Sequence, residues 1–173
     1  PDNISIADPA MFKATNQNRV TGLSYQTMLL SELEQLCNSE TIYGLRNKAE
    51  VLAEQLYSED PYINISVYKD GVTLKNIDLF LKGVNIVIDV ADSTEYKLAL
   101  AQKARAQGIR YIRITDAGDS VWMDIRPFDL DNKISISPNI SDQRLFELEE
   151  SATSSREDFF QFADALVGDK HRK

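Results

Sequence analysis

The stretch NIVIDVADST, residues 85–94, decides the fold and raises the main question about function. Its apolar run, residues 86–90, predicts a short strand that is buried on both faces. Asp89 interrupts this run, and Asp92 follows it three residues later. Because a carboxylate is costly to bury without a partner, we expect Asp89 to be buried and hydrogen-bonded, with a structural role. We expect Asp92 to face solvent where the strand ends.

Strands and helices alternate on both sides of this stretch. Apolar runs predict parallel strands at residues 4–7, 63–68, 84–90 and 109–114. Helical spacing predicts helices at residues 24–37, 46–59, 73–82 and 94–107. The buried face of the second helix is predicted to contain Ala49, Leu52, Ala53 and Leu56. That of the fourth is predicted to contain Leu98 and Ala101, with Gly108 as its end. This order predicts an α/β fold with a doubly wound, mostly parallel, Rossmann-like sheet.

The C-terminal part of the chain has a different pattern. SVWMDIRPFD and KISIS, residues 120–129 and 133–137, predict shorter and partly antiparallel strands. Two polar helices are predicted at residues 141–150 and 155–167. We therefore expect one main domain over residues 1–138 and a C-terminal helical segment over residues 139–173.

Composition excludes several classes of function. The 173 residues contain 19 Lys and Arg against 27 Asp and Glu, a net charge of -8, and the basic residues are scattered. Nucleic acid is therefore not an expected partner. With one cysteine, Cys37, and one histidine, His171, the chain has neither an internal disulfide nor a zinc cluster. No apolar run is long enough to cross a membrane, so we expect a cytoplasmic protein.

Several carboxylates follow the predicted strands. In an open parallel sheet the ligand crevice lies beyond the carboxyl ends of the strands, where Asp8, Asp89, Asp92 and Asp116 are placed. A simpler interpretation is also open. Asp92 or the serine after it would only cap the next helix, and Asp8 would only form a turn with the proline that follows.

Three segments, in order and without gaps, resemble one known family. They are ISIADPAMFKATNQNR at residues 4–19, NKAEVLAEQLYSEDPYINISVY at residues 47–68, and GVNIVIDVADSTEYKLALAQKARAQGIRYI at residues 83–112. The family is the ThiF/MoeB/HesA and ubiquitin-like-protein-activating superfamily, and the resemblance covers about residues 4 to 128. The resemblance implies that residues 1–138 form a ThiF-like nucleotide-binding domain.

The resemblance implies an ATP-dependent adenylyltransferase that activates the C-terminal carboxylate of a small protein or peptide. By this resemblance, Asp8 binds the ribose of ATP, and Asn16, Arg19 and Lys48 contact its phosphates. The resemblance also implies that Asp92 holds magnesium and that Arg19, Lys48 and Asp92 are the catalytic groups. Cations and a metal ion suit this reaction, because two anions must approach each other and pyrophosphate must leave. Because members of this family commonly assemble, the resemblance also implies a homo-oligomer.

The chain departs from the family pattern at several positions. None of its glycines forms the usual phosphate-binding cluster, and we expect that loop upstream of residue 1. Ala10 stands where an acidic residue is usual, Val20 where Gln is usual, and Asn47 where Pro is usual. The predicted helix at residues 24–37 is an insertion, and its Cys37 does not occupy the usual thioester position.

Two other functions remain open at this point. One is a non-catalytic ThiF-like partner that keeps the fold for assembly. The other is an NAD-dependent oxidoreductase that uses Asp8 on the adenosine ribose, although such an enzyme has no particular need for Arg19, Lys48 and Asp92 together. Taken singly, Arg19 and Lys48 are also ordinary solvent-exposed residues.

Overall fold

The computed structural model describes residues 3–11, 46–91, 96–116, 121–151 and 156–167. Contacts divide the chain into two compact units, residues 1–73 and residues 74–173. The predicted inserted helix at residues 24–37 lies outside the described residues. The expected domain boundary after residue 138 stays a prediction.

The first unit contains a parallel pair of strands and a helix. Strand β1, Asn3–Ala7, pairs with β2, Asn64–Tyr68, so that Asn3 lies opposite Asn64 and Ala7 lies opposite Tyr68. Helix α1, Lys48–Glu59, lies between them in sequence and packs on both strands. The predicted parallel direction of these two strands is confirmed.

The buried face of α1 differs from the predicted one. Ala49 and Ala53 are buried as expected, but Leu52 is 45% exposed, so its predicted burial is wrong. Val51 is buried instead, although it lies about 200° around the helix from Ala49. The helix is therefore covered on two sides, and the two alanines of the predicted face are buried while Leu52 is not.

The second unit contains a mixed three-stranded sheet. Strand β3, Ile86–Asp89, runs parallel to β4, Arg110–Asp116, and β5, Val121–Arg126, runs antiparallel to β4. The order is β3-β4-β5. The parallel pair and the antiparallel strand after it are both as predicted. With the helices between the strands, they confirm the α/β class.

Two helices connect the elements of the second unit. The short helix α2, Ile77–Phe80, precedes β3, and α3, Lys97–Ala106, connects β3 to β4. Leu98 and Ala101 are fully buried on α3, as their spacing predicts. Gly108 has a φ of +64°, a left-handed conformation that glycine adopts readily, and it ends this helix at the predicted place.

Strand β3 is buried on one face only. Val87 and Asp89 are each 4% exposed, whereas Ile86 and Ile88 are more than half exposed. The predicted burial on both faces is therefore wrong. Successive side chains of a strand point to opposite faces, and only the face that carries Val87 and Asp89 is covered in this unit.

The C-terminal part is helical, with one predicted strand absent. Helices α4, Asp142–Ser151, and α5, Arg156–Val167, pack against each other close to the predicted positions. The predicted strand KISIS, residues 133–137, is an irregular segment. Its polar groups are bonded to the two C-terminal helices: the Ile136 N–H donates to Asp142 Oδ1 at 2.8 Å, and the Ser137 hydroxyl donates to the Ala165 carbonyl at 2.6 Å. Such side-chain bonds replace a strand ladder.

Candidate functional site

The candidate site in the first unit begins at the carboxyl end of β1. Asp8 follows this strand directly, and its Oδ1 accepts a hydrogen bond from the Ala10 N–H at 2.8 Å. This is the local turn that an Asp before Pro favours. The turn holds the Asp8 carboxylate at the end of the parallel pair, which is where ligands bind in open α/β sheets.

Asn47 joins three segments at this end of the sheet. Its Nδ2 donates to the Asp8 carbonyl at 2.8 Å and to the Lys69 carbonyl at 3.3 Å, and the Ala10 carbonyl lies 3.5 Å away. Only 5% of Asn47 is exposed. One buried amide therefore connects the exit of β1, the exit of β2 and the start of α1.

Lys48 is the first residue of α1 and is tied to the same turn. Its backbone N–H donates to the Ala10 carbonyl at 3.0 Å, and the residue is half-buried. The backbone of Lys48 is thus hydrogen-bonded directly to the turn that holds the Asp8 carboxylate. The structure places these two predicted site residues on adjoining segments.

The first turn of α1 is closed by the protein itself. Asn47 Oδ1 accepts from the N–H groups of Ala49 at 2.9 Å and Glu50 at 3.3 Å, and the Val51 N–H donates to the Asn47 carbonyl at 3.1 Å. Together with the Lys48 bond, these contacts satisfy N–H groups that many phosphate-binding helices offer to an anion. An anion at this helix would therefore be bound by side chains.

Gly71 and Pro9 pack where the two strands end. Gly71 is buried and has a φ of +74°, and a Cβ atom at this position would lie 3.0 Å from Pro9 Cδ. Both the conformation and this close approach require glycine. The contact fixes the spacing between the segments that carry Asp8 and Lys69.

A second lysine lies at the rim of this site. Lys69 Nζ is 2.7 Å from Glu50 Oε1, and both side chains are exposed. The hydrogen bond to Glu50, with its negative charge, raises the pKa of Lys69 above its ordinary value. Exposed pairs of this kind contribute little to stability, but Lys69 stays positively charged at neutral pH.

A separate polar cluster is buried in the second unit around Asp89. Asp89 Oδ1 accepts from the Ala91 N–H at 3.0 Å and from Lys97 Nζ at 3.2 Å, and Asp89 Oδ2 accepts from the Tyr111 hydroxyl of the neighbouring strand. The predicted burial and hydrogen bonding of Asp89 are confirmed. Burial, and then the Asp89 charge, raise the pKa of Tyr111 above its usual range.

Arg113 extends this cluster along β4. It is 2% exposed, and its guanidinium carbon lies 5.4 Å from the centre of the Tyr111 ring, within the range of a cation–π contact. Its Nη1 lies 3.7 Å from Asp124 Oδ2 on β5. The strand register therefore places Arg113 between Asp89 on β3 and Asp124 on β5.

Three predicted site residues lie outside the described residues, Asn16, Arg19 and Asp92, and so does Cys37. The backbone of Asp116 is described and ends β4. Within the described ranges, no group of three or more His, Cys, Asp and Glu residues could hold a metal ion. None of the helices in those ranges is long and apolar enough to cross a membrane.

The role of Asn47 is not among the predictions from sequence, where this residue is only a departure from a usual Pro before the lysine. The signal was present, because Asn immediately before an amphipathic helix is a common N-cap. The hydrogen bonds from Nδ2 to two other segments could not be read from local sequence, since Asp8 is 39 residues away in the chain.

Comparisons with known proteins agree with this geometry. The sequence model described as the ThiF family matches residues 3–120. An uncharacterized protein of Mycobacterium tuberculosis is 31% identical over 85 residues, which are 49% of this chain and 12% of that protein. The tRNA threonylcarbamoyladenosine dehydratase of Escherichia coli is 30% identical over 110 residues, which are 58% of this chain and 40% of that protein.

A solved structure has the same fold. The crystal structure of E. coli MccB with AMPCPP and MccA superimposes with a TM-score of 0.50 at 17% identity, over 72% of this chain and 33% of that chain. The chain thus spans less than half the length of each of these proteins.

Proposed function

Because this chain belongs to the ThiF family, we propose that it is part of an ATP-dependent adenylyltransferase that activates a carboxylate as an acyl-adenylate. The observation that carries this proposal is that hydrogen bonds join the segment of Asp8 to the segment of Lys48 at the carboxyl end of the parallel β1-β2 pair. A carboxylate and a lysine carried by joined segments at this end suit a ligand with both a ribose and phosphates.

The proposed reaction brings two anions together. An oxygen of the substrate carboxylate attacks the α-phosphorus of ATP, the bond from this phosphorus to the bridging oxygen breaks, and pyrophosphate leaves with the electron pair. The side chains need only bind, orient and neutralise charge. Lys48 would contact the phosphates, and the Asp8 carboxylate would accept hydrogen bonds from the ribose hydroxyls.

The remaining roles rest on the family resemblance. Asn16 and Arg19 would contact the phosphates, and Asp92 would be the magnesium ligand. Magnesium, when bound, would neutralise charge that develops on the phosphates. Since the first turn of α1 is closed, the Lys48 ammonium is the group on this helix that we assign to phosphate binding.

We propose a peptide or small-protein carboxylate as the substrate. MccB has been crystallised with the peptide MccA and with AMPCPP, an analogue of ATP. The E. coli dehydratase named above acts, by its name, on a modified nucleoside of tRNA. The net charge of -8 disfavours a polyanionic partner such as tRNA for this chain. We also propose a cytoplasmic location and a homo-oligomer.

The test is ATP–pyrophosphate exchange by the full-length protein with magnesium and a panel of peptides with free C-termini. We expect exchange that depends on a peptide, and a loss of about 100-fold or more for Lys48→Met. Lys82→Met, which removes an exposed lysine, is the matched control and should exchange normally.

The outcomes separate the alternatives. ATP binding without exchange for any carboxylate, tRNA carrying threonylcarbamoyladenosine included, would indicate a non-catalytic partner. Exchange with that tRNA alone would replace the peptide as substrate. Binding of NAD in preference to ATP would favour the oxidoreductase.

A further inference from the structure

We propose that Asn47 is a positioning residue of the nucleotide site, and that its buried amide sets where Lys48 lies relative to Asp8. This inference rests on the proposed function, since it assigns Lys48 to the phosphates and Asp8 to the ribose. The two residues are 40 positions apart in sequence, so something other than local chain geometry must fix their spacing.

The hydrogen bonds of Asn47 divide into two sets with different consequences. Its Oδ1 accepts from the Ala49 and Glu50 N–H groups, which is ordinary N-cap chemistry. Its Nδ2 donates to the Asp8 carbonyl at 2.8 Å and to the Lys69 carbonyl at 3.3 Å, which lie on other segments. The first set defines where α1 begins, and the second defines where that beginning lies relative to the sheet.

Of the residue types that cap helices well, only one with a side-chain amide can donate both of these Nδ2 hydrogen bonds. Asp, Ser and Thr are also good N-caps, but a carboxylate has no hydrogen to donate and a hydroxyl has a single one. An amide nitrogen carries two hydrogens, which suits two carbonyls from the exits of β1 and β2. A residue selected for capping alone would not have to be Asn.

The position of Asn47 makes its effect on Lys48 direct. It is the preceding residue, it is 5% exposed, and the neighbouring Lys48 N–H is itself bound to the Ala10 carbonyl at 3.0 Å. The first-turn N–H groups of α1 are occupied within the protein. They therefore cannot bind the phosphates in place of the Lys48 ammonium if the start of the helix moves. A lysine displaced out of hydrogen-bond range of a phosphate loses a bond between charged groups, which corresponds to about 10- to 100-fold in affinity.

The experiment compares ligand affinities of full-length variants by isothermal titration calorimetry. Asn47→Ser keeps a neutral cap but cannot bridge the two carbonyls. Asn64→Ala is the control, because Asn64 lies at the opposite end of the same strand pair and bonds Asn3 Oδ1 at 2.8 Å. The ligands are ATP with magnesium, which would span Asp8 and Lys48, and adenosine, which carries the ribose without phosphates.

We expect Asn47→Ser to bind ATP about 10- to 100-fold more weakly, with adenosine affinity within about threefold of wild type. The control should bind both ligands as the wild type does. Asn47→Thr, with the same cap chemistry, carries the test if Asn47→Ser does not fold. Asn47→Asp is included to distinguish an effect of Lys48 position on ATP affinity from an effect of added negative charge.

Three results would overturn the inference. The first is ATP affinity at the wild-type level in Asn47→Ser. The second is an equal loss of ATP and adenosine affinity, because Asn47 would then hold the whole site together without positioning Lys48. The third is weak ATP binding in Asn47→Asp alone, which would be a charge effect. If the wild-type protein binds neither ATP nor adenosine, the proposed function itself fails, which is a distinct outcome.

Discussion

Lys97 and Asp89 form a buried ion pair, with Lys97 Nζ 3.2 Å from Asp89 Oδ1 and each side chain only 3% exposed. Asp89 is the last residue of β3 and Lys97 is the first residue of α3, so the pair connects the end of the strand to the start of the next helix. Desolvation offsets much of the attraction in such a pair. Breaking it is costly, since the remaining charge stays buried without compensation.

We therefore predict that Asp89→Asn lowers the free energy of unfolding by about 3–5 kcal/mol. Urea denaturation monitored by circular dichroism measures this loss. The control is Asp78→Asn, since Asp78 forms an exposed pair with Lys103 at 2.8 Å. Its loss should stay below about 1 kcal/mol.

A double variant tests whether the uncompensated charge of Lys97 causes this loss of stability. Adding Lys97→Met to Asp89→Asn removes the buried charge that the single change leaves behind. The double variant should therefore be more stable than Asp89→Asn alone. Equal losses from Asp89→Asn and Asp78→Asn would show that the buried pair does not have this role.

The raised pKa of Tyr111 predicts that the free energy of unfolding depends on pH in the alkaline range. Burial and the Asp89 charge raise its pKa in the folded state above the ordinary value near 10. Above pH 10 the unfolded chain therefore loses this proton while the folded chain keeps it. The contribution is fully present below pH 10 and falls as pH rises toward the folded-state pKa, by about 1.4 kcal/mol per pH unit.

Urea denaturation between pH 8 and pH 11 tests this dependence. Tyr111→Phe should reduce the alkaline slope, although it also lowers stability at neutral pH because Asp89 loses a hydrogen-bond donor. Tyr62→Phe, at a tyrosine that is 89% exposed, should leave the slope unchanged. An unchanged slope in Tyr111→Phe would contradict the assignment.

The sequence predicted those features that depend on local pattern. The apolar run located β3, and the cost of burying a carboxylate predicted a bonded Asp89. Helix α3 followed from the spacing of Leu98 and Ala101 and from Gly108. Each of these features is determined by residues within a few positions of one another.

Features that depend on distant partners were not predictable in this way. The same run could not show that Ile86 and Ile88 are exposed, because burial depends on which elements cover each face. In the segment of residues 133–137, bonds to Asp142 and Ala165 replaced the expected ladder. Asn47 shows the same limit at the candidate site, since its main partners lie on β1 and after β2.

The exposed face of the β3-β4-β5 sheet relates to the predicted homo-oligomer. Six apolar side chains that are each more than half exposed lie on or beside β3 and β5: Ile86, Ile88, Val90, Val121, Met123 and Ile125. The register places Ile88 and Ile125 at one level on the same face, on either side of Ile112. Covering this face with a second copy would bury apolar surface at about 25 cal/mol per Å².

We predict that the protein elutes as a dimer or larger assembly in size-exclusion chromatography with multi-angle light scattering. Ile88→Lys should shift it toward the monomer, because a charge would then be buried in the contact. Leu130→Lys, at a leucine that is 77% exposed in a turn, should not. A monodisperse wild-type monomer at high concentration would refute the predicted assembly.

Asp92 gives the most direct test of the proposed chemistry. Asp92→Asn removes the charge at nearly constant shape, so a magnesium ligand would be lost while local packing changes little. We predict that pyrophosphate exchange by the full-length protein falls by about 100-fold or more, with a melting temperature close to that of the wild type. Asp131→Asn is the control, because Asp131 accepts the Lys133 N–H at 2.9 Å in an exposed turn. Exchange that survives Asp92→Asn at saturating magnesium, with a substrate that supports wild-type exchange, would mean that Asp92 is only a helix cap.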